Sequence, residues 1–237
     1  HIVRDAGLYT RSYLEGFRLF YGDPAQYTFL GLLPSYLERE GSSLIEMVKG
    51  LMDRSGSPHN GFYLYEHEAL AAKLKVLSEE RKKTMLFGVS FALLDFAERF
   101  PLQLNNNILI METGGMKGRR KEIIRPELHN TLKKAFGLEQ IHSEYGMTEL
   151  LSQAWSEGEG RFRTPPWMKV MIRDIQDPYC FLPHGKSGAI NIIDLANLHS
   201  CAFIETQDIG KLHEDGSFEV LGRTDASDIR GCSLLIG

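Results

Sequence analysis

The chain has 237 residues, 43% of them hydrophobic and 24% charged, an ordinary globular composition with room for one large domain or two small ones. Its apolar runs are short and broken by charge, so none reads as a bilayer span, and no secretory or transit signature opens it. With 27 basic and 31 acidic residues the net charge is -4, which leaves no electrostatic footprint for nucleic acid.

Residues 9–21 place Tyr13, Leu14, Phe17, Phe20 and Tyr21 at helical spacing. Residues 27–33 form a short apolar run, read as a buried strand. Ser42 and Ser43 are N-cap candidates for a helix over 44–53, and 56–61 is a turn cluster. Residues 66–83 read as a long amphipathic helix, 85–89 as a strand, and 91–100 as a helix stopped by Pro101. A loop at 105–107 leads to a strand at 108–111. A helix over 122–136 ends at Gly137, and a strand at 141–145 runs into residues 143–149, SEYGMTE.

This alternation predicts an α/β fold: a mostly parallel sheet flanked by helices, with ligands collecting past the carboxyl ends of its strands. After Leu150 the texture changes. Short β-like runs at 161–173, 188–195, 201–206 and 217–221 are separated by Gly, Pro and Asp turns, and residues 213–217 (HEDGS) read as a hairpin loop. The expected division is therefore an α/β subdomain over 1–150 and a smaller β-rich subdomain over 151–237. There are no internal repeats or low-complexity segments.

The odd, low cysteine count (Cys180, Cys201 and Cys232) argues against a disulfide scaffold and for a reducing, cytoplasmic setting. His142, His184, His199 and His213 lack metal-ligand spacing, so no zinc site is expected. The basic run 117–121, with Arg119 and Arg120, reads as a solvated loop.

SEYGMTE offers groups that a nucleotide site needs. Tyr145 has a face for a purine, Gly146 allows a tight turn, Thr148 has a hydroxyl for phosphate oxygens, and Glu149 has a carboxylate suited to Mg²⁺. By spacing alone the segment reads equally as a strand-to-helix turn with a capping Thr. Residues 206–210 (TQDIG) end a β-run with Asp208, suited to a ribose diol. Arg223 follows Gly222 and suits a phosphate or carboxylate. Taken singly, both are ordinary hairpins with a surface charge. Residues 87–91 (FGVSF) just past a strand are candidates either for an acyl tunnel or for core packing.

Together and in this order the segments resemble the adenylate-forming superfamily, which contains acyl-CoA and aryl-CoA ligases and firefly luciferase. SEYGMTE matches its YGxTE signature, TQDIG its TGD with Gln207 for the usual glycine, and GRTDASDIRG its GRxDdxIKxxG. Residues 113–136 have its layout of a Gly-Gly turn followed by a helix of the form PELxxxLxxxF, so the resemblance covers most of 111–231. The opening HIVRDAGLYTRSYLEGFRLFYGDP, the later LLPSYLEREGSSLIEMV and the ending DIRGCSLL are similar to the acyl-protein synthetases, the fatty-acid-activating component of bacterial luminescence systems.

The resemblance implies ATP and Mg²⁺ as cofactors and a fatty or other carboxylic acid as substrate. Gly114 and Gly115 would lie against adenine and Tyr145 would stack on it, beside Gly146. Thr148 would meet phosphate and Glu149 would hold Mg²⁺. Asp208 would bind the ribose, Arg223 the ribose or α-phosphate, and Cys232 would accept the acyl group as a thioester. An acyl-donor or acyl-acceptor protein is a further implied partner. The superfamily's Ser/Thr/Gly-rich phosphate loop belongs just before a segment like HIVRD and has no counterpart here, so an incomplete adenylate-forming N-terminal domain is expected, with residues preceding His1 in a longer protein. Two other functions are compatible with the motifs: an acyl-CoA ligase or acyltransferase using a free thiol, and a non-catalytic nucleotide-binding scaffold.

Overall fold

The computed structural model describes residues 3–37, 41–115, 120 and 123–223. Helix α1 (Ala6–Tyr21) starts where Asp5 accepts the Gly7 amide at 2.8 Å, and it buries Tyr9, Tyr13 and Phe17 on one face. The strands β1 (Thr28–Leu32), β2 (Gly61–Tyr63), β3 (Thr84–Val89), β4 (Ile108–Thr113), β5 (His142–Tyr145) and β6 (Ala154–Ser156) form one sheet in the order β2-β1-β3-β4-β5-β6. All pairings are parallel except β5 with β6, which is antiparallel.

The helices between the strands are α2 (Pro34–Leu37), α3 (Ser43–Ser55), α4 (His67–Glu79), α5 (Ser90–Arg99) and α6 (Arg125–Phe136). Ser42, one of the two candidate caps, caps α3, and Gly137 closes α6 as expected; α3 runs on to Ser55, two residues past its expected end, where Gly56 closes it, and both glycines are left-handed. α4 is four residues shorter at its C-terminal end than the sequence pattern suggests, because Glu80 to Lys83 carry charge but no apolar face and Arg81 turns to φ 54. α6 begins at Arg125, with Pro126 in its first turn, rather than at 122.

Four strands form a second, antiparallel sheet in the order β10-β9-β8-β7: β7 (Met168–Arg173), β8 (Ser187–Asp194), β9 (Phe203–Leu212) and β10 (Phe218–Arg223). The hairpin read at 213–217 joins β9 to β10. A bulge between Val220 and Gly222 shifts the last pairings, so that Arg223 lies opposite Asp208. The fold is thus α/β, with a mixed, mostly parallel sheet and a smaller antiparallel one.

Each sheet has its own apolar core. The large one fills the space between the first sheet and its helices and includes Phe17, Phe29, Leu86 and Trp155. The small one contains Phe162, Ile190, Ile192 and Phe218, and Tyr145, Leu150 and Ala154 enter it from the edge of the first sheet. Tyr145 therefore belongs to the second core, although its strand belongs to the first sheet. Residues 87–91 are closed core: Phe87 and Val89 have no exposure, and Ser90 donates to Glu112 at 2.7 Å.

Candidate active site

β4 and β5 are parallel neighbours, so the segments that follow them, Gly114–Gly115 and Gly146–Glu149, leave from the same edge of the sheet. Gly114 has φ 73, a left-handed turn that glycine adopts without strain, and a side chain added at Gly115 would meet nothing within 4 Å. Gly146 gives close approach rather than the expected positive-φ turn. Its φ is not positive, but a Cβ there would clash with Oε1 of Glu144. The chain then makes a four-residue turn in which the Leu150 amide donates to the Met147 carbonyl at 3.1 Å, with no helix following. Thr148 and Glu149 occupy its exposed centre.

The second sheet brings two more of the expected residues to this edge. The Tyr145 hydroxyl donates to Asp208 Oδ2 at 2.7 Å, and Arg223 Nε lies 3.4 Å from Asp208 Oδ1. Tyr145 is 8% exposed and meets Phe162 and Phe218 edge-on, so most of its ring is occupied. Burial and the adjacent Asp208 carboxylate push the Tyr145 hydroxyl well up, which keeps it a donor. The Arg223 head is largely exposed and also reaches Gln207 Oε1 at 3.3 Å. Cys232 and the part of GRTDASDIRG beyond Arg223 lie outside the described residues, as do 116–119 of the glycine-rich and basic stretch; Arg120 pairs with Asp95 and Glu98.

Two buried acids at the ends of β4 and β5 had been given no role from sequence. Directly paired residues share a face of a sheet, and successive residues alternate. Glu112 pairs with Ser143, and on that face Glu112 accepts from Ser90 and has Arg125 Nε at 3.7 Å and His129 Nε2 at 3.9 Å. Burial pushes the Glu112 carboxyl up, but His129, Arg125 and Ser90 pull it down further, so it ends below its ordinary value. Thr113 pairs with Glu144 on the other face and donates to it at 2.5 Å, tying the strand ends together just before the two turns. Burial raises Glu144 to about 7, against the Thr113 hydrogen bond and with help from Glu112. Its neighbour on that face, His142, is lowered by burial to about 4, and its Nδ1 lies 3.3 Å from the Tyr21 hydroxyl. The sequence signal for Glu144 was an acid inside a strand that parallel pairing would bury.

A cavity of about 360 Å³ opens beside the turn, lined by Tyr9, Tyr36, Ile45, Thr148, Leu150 and Leu151 among others. That volume lies within the usual ~300–1,000 Å³ of small-ligand sites. This cavity lies between α1, α3 and the turn, and residues 87–91 are not among its lining.

A parallel sheet with glycine turns at its carboxyl edge, joined by an antiparallel sheet that sends an acid and an arginine to the same edge, is the arrangement of the adenylate-forming fold. The chain is similar to ATP-bound MatB from Rhodopseudomonas palustris, with TM-score 0.67 and 16% identity over 91% of this chain and 44% of that one. It is also similar to a long-chain-fatty-acid-CoA ligase, FadD1, from Archaeoglobus fulgidus, with TM-score 0.65 and 15% identity over 97% of this chain and 49% of that one. A luciferase-like enzyme from the mealworm Zophobas morio matches at TM-score 0.60 and 15% identity, over 91% and 53% of the respective chains. The acyl-protein synthetase family model, LuxE, matches residues 63–237, and the chain belongs to that family. The long-chain-fatty-acid–luciferin-component ligase of Vibrio harveyi is 29% identical over 140 residues, 54% of this chain. The chain spans 36% of the length of that relative. No described helix is long and apolar enough to cross a membrane.

Proposed function

We propose that this chain forms one wall of a site that activates a long-chain fatty acid with ATP and passes the acyl group to a cysteine. The observation that carries this reading is the meeting of Tyr145, Asp208 and Arg223, from three separate motif segments, beside the Thr148–Glu149 turn. Adenine would lie against Gly114 and Gly115 and over the part of the Tyr145 ring left open. Asp208 would take the ribose hydroxyls, while Arg223 and Thr148 would take phosphate oxygens. The acid would enter through the cavity beside Thr148, where tyrosines and aliphatic side chains suit an acyl chain.

Glu149 fits an Mg²⁺ ligand. Its carboxylate is exposed and makes no hydrogen bond or ion pair among the described residues, and Mg²⁺ commonly takes one or two carboxylates together with substrate phosphates and water. When bound there, Mg²⁺ would offset phosphate charge. In the first step a substrate carboxylate oxygen bonds to the α-phosphorus and the bond to pyrophosphate breaks, giving the acyl-adenylate. This step depends on positioning and electrostatics more than on proton transfer, which suits an edge of turns and charges. In the second step the Cys232 thiolate attacks the acyl carbon and AMP leaves, giving a thioester.

The test is ATP–pyrophosphate exchange by the intact natural protein with long-chain fatty acids and Mg²⁺, with intact mass followed in the same reactions. Exchange should depend on the acid, the acyl adduct should vanish in Cys232→Ser, and Glu149→Gln should slow exchange by about 10²-fold while the fold stays intact. Unchanged exchange in Glu149→Gln removes that residue from the site, and no exchange with any fatty acid ends the reading.

A further inference from the structure

The turn that presents Thr148 and Glu149 is held from the other sheet. β8 ends in Asp194, whose side chain is fully buried. Its Oδ2 accepts the backbone amides of Leu151 at 2.9 Å and Ser152 at 3.0 Å. Its Oδ1 accepts the Ser152 hydroxyl at 2.6 Å and the Ala196 amide at 3.1 Å. The Ser152 hydroxyl is also 3.0 Å from that of Ser12 on α1 and 3.0 Å from the Trp167 indole nitrogen. Three residues beyond Asp194, the equally buried Asn197 donates its amide to the Glu149 carbonyl at 2.6 Å and to the Cys201 carbonyl at 2.8 Å.

The geometry has a direction. A buried carboxylate left without donors is expensive, so Asp194 fixes whatever supplies its hydrogen bonds, and two of those suppliers are consecutive amides just past the turn. Asn197 fixes the peptide plane of Glu149 itself. With the carbonyl of Glu149 and the amides of Leu151 and Ser152 all held, the C-terminal side of the turn loses most of its freedom. The backbone from which its two exposed side chains project is thereby restrained before any ligand arrives, which lowers the ordering cost of binding. Leu150 and Leu151 of the same segment are anchored in the two apolar clusters, and the hydrogen bonds from Asp194 and Asn197 act on the backbone around them.

We infer that Asp194 and Asn197 are positioning residues that aim the Thr148–Glu149 turn at phosphate and metal, acting from the second sheet on a motif of the first. This rests on the function proposed above. Partners that orient metal ligands typically change metal affinity by about 10–100-fold when removed. In the intact natural protein, Asn197→Ala should therefore raise the Mg²⁺ concentration for half-maximal pyrophosphate exchange about 10-fold and leave the KM for the fatty acid unchanged. Asn197→Asp, which keeps the shape but sets a carboxylate against two carbonyls, should do at least as much. Amide hydrogen exchange of residues 147–152 should quicken in both variants, a readout that needs no activity. Asp194→Asn should act alike if it folds, and the Asn197 variants carry the test if it does not. A merely structural brace would lower the melting temperature without moving the Mg²⁺ midpoint. That result, or unaltered hydrogen exchange at 147–152, overturns the inference while wild-type exchange upholds the reading of the site. If the wild type shows no pyrophosphate exchange at all, the reading fails and the inference falls with it.

Discussion

In the first sheet the strands are packed with Phe29, Leu30, Leu32, Met85, Leu86 and Phe87, and the polar groups gather where β4 and β5 end. The second sheet has a much smaller core and is attached to the first by directional contacts: Tyr145 to Asp208, Asn197 to Glu149, Asp194 to Leu151 and Ser152, and Arg125 to the Val220 carbonyl at 3.0 Å. Apolar burial supplies most of the stability but tolerates small shifts, whereas hydrogen bonds supply less and fix register. On the reading proposed above, the rigid edge of the candidate site belongs to the first sheet and its alignment to the second.

The largest effect should come from the first core. Phe17 is fully buried between Tyr21, Tyr27, Phe29 and Trp155, so Phe17→Ala should cost about 3–5 kcal/mol in urea unfolding. A loss below about 1 kcal/mol would show that α1 is not part of that core.

Next comes a pair of opposed titrations on β5. Folded Glu144 keeps its proton up to about 7, whereas the unfolded side chain loses it near 4.5, so this group makes stability fall as pH rises between those values. Folded His142 stays neutral down to about 4, whereas the unfolded ring is protonated below 6.5, so it makes stability rise from about 4 to 6.5. The two slopes, each about 1.4 kcal/mol per pH unit, nearly cancel in the overlap. Glu144→Gln should unmask a rise totalling about 3 kcal/mol, and His142→Gln a fall of similar size from 4.5 to 7. Denaturant midpoints at pH 5 and pH 6.5 decide it, and a flat profile in both variants would contradict the burial of these groups.

The smallest effect concerns the attachment of the second sheet. Tyr145→Phe removes a hydroxyl bonded to a carboxylate and should cost about 1.5–3 kcal/mol. In a double-mutant cycle with Asp208→Ala, most of that loss should appear as coupling. Independent, additive losses would mean that the hydroxyl does not act through Asp208.

The parts of the molecule readable from sequence were those whose cause is local. Helical spacing located α1, apolar runs located β1, β3 and β4, and a glycine stop located the end of α6. β2 and β6 were missed because three residues give no periodicity; β2 is also a half-buried edge strand hidden in a turn cluster. At the site, the family motifs gave Tyr145, Asp208 and Arg223 but not their contact with one another, since 63 residues separate the tyrosine from the aspartate. Asp194 and Asn197 were beyond reach for the same reason: their partners Ser152 and Glu149 lie 42 and 48 residues earlier. Nothing within a few residues of Asp194 distinguishes it from any acid that ends a strand.

The bulge in β10 has a consequence for the arginine. Were Leu221 paired instead of bulged, the ladder from Val220 opposite Gly210 would continue with Leu221 opposite Ile209 and Gly222 opposite Asp208. Because neighbouring residues in a strand point to opposite sides, Arg223 would then project from the far side of the hairpin. Leu221 thus works as a parity digit. Its side chain is half exposed and its packing is minor, yet its being left out of the pairing decides whether a guanidinium or a glycine stands beside Asp208.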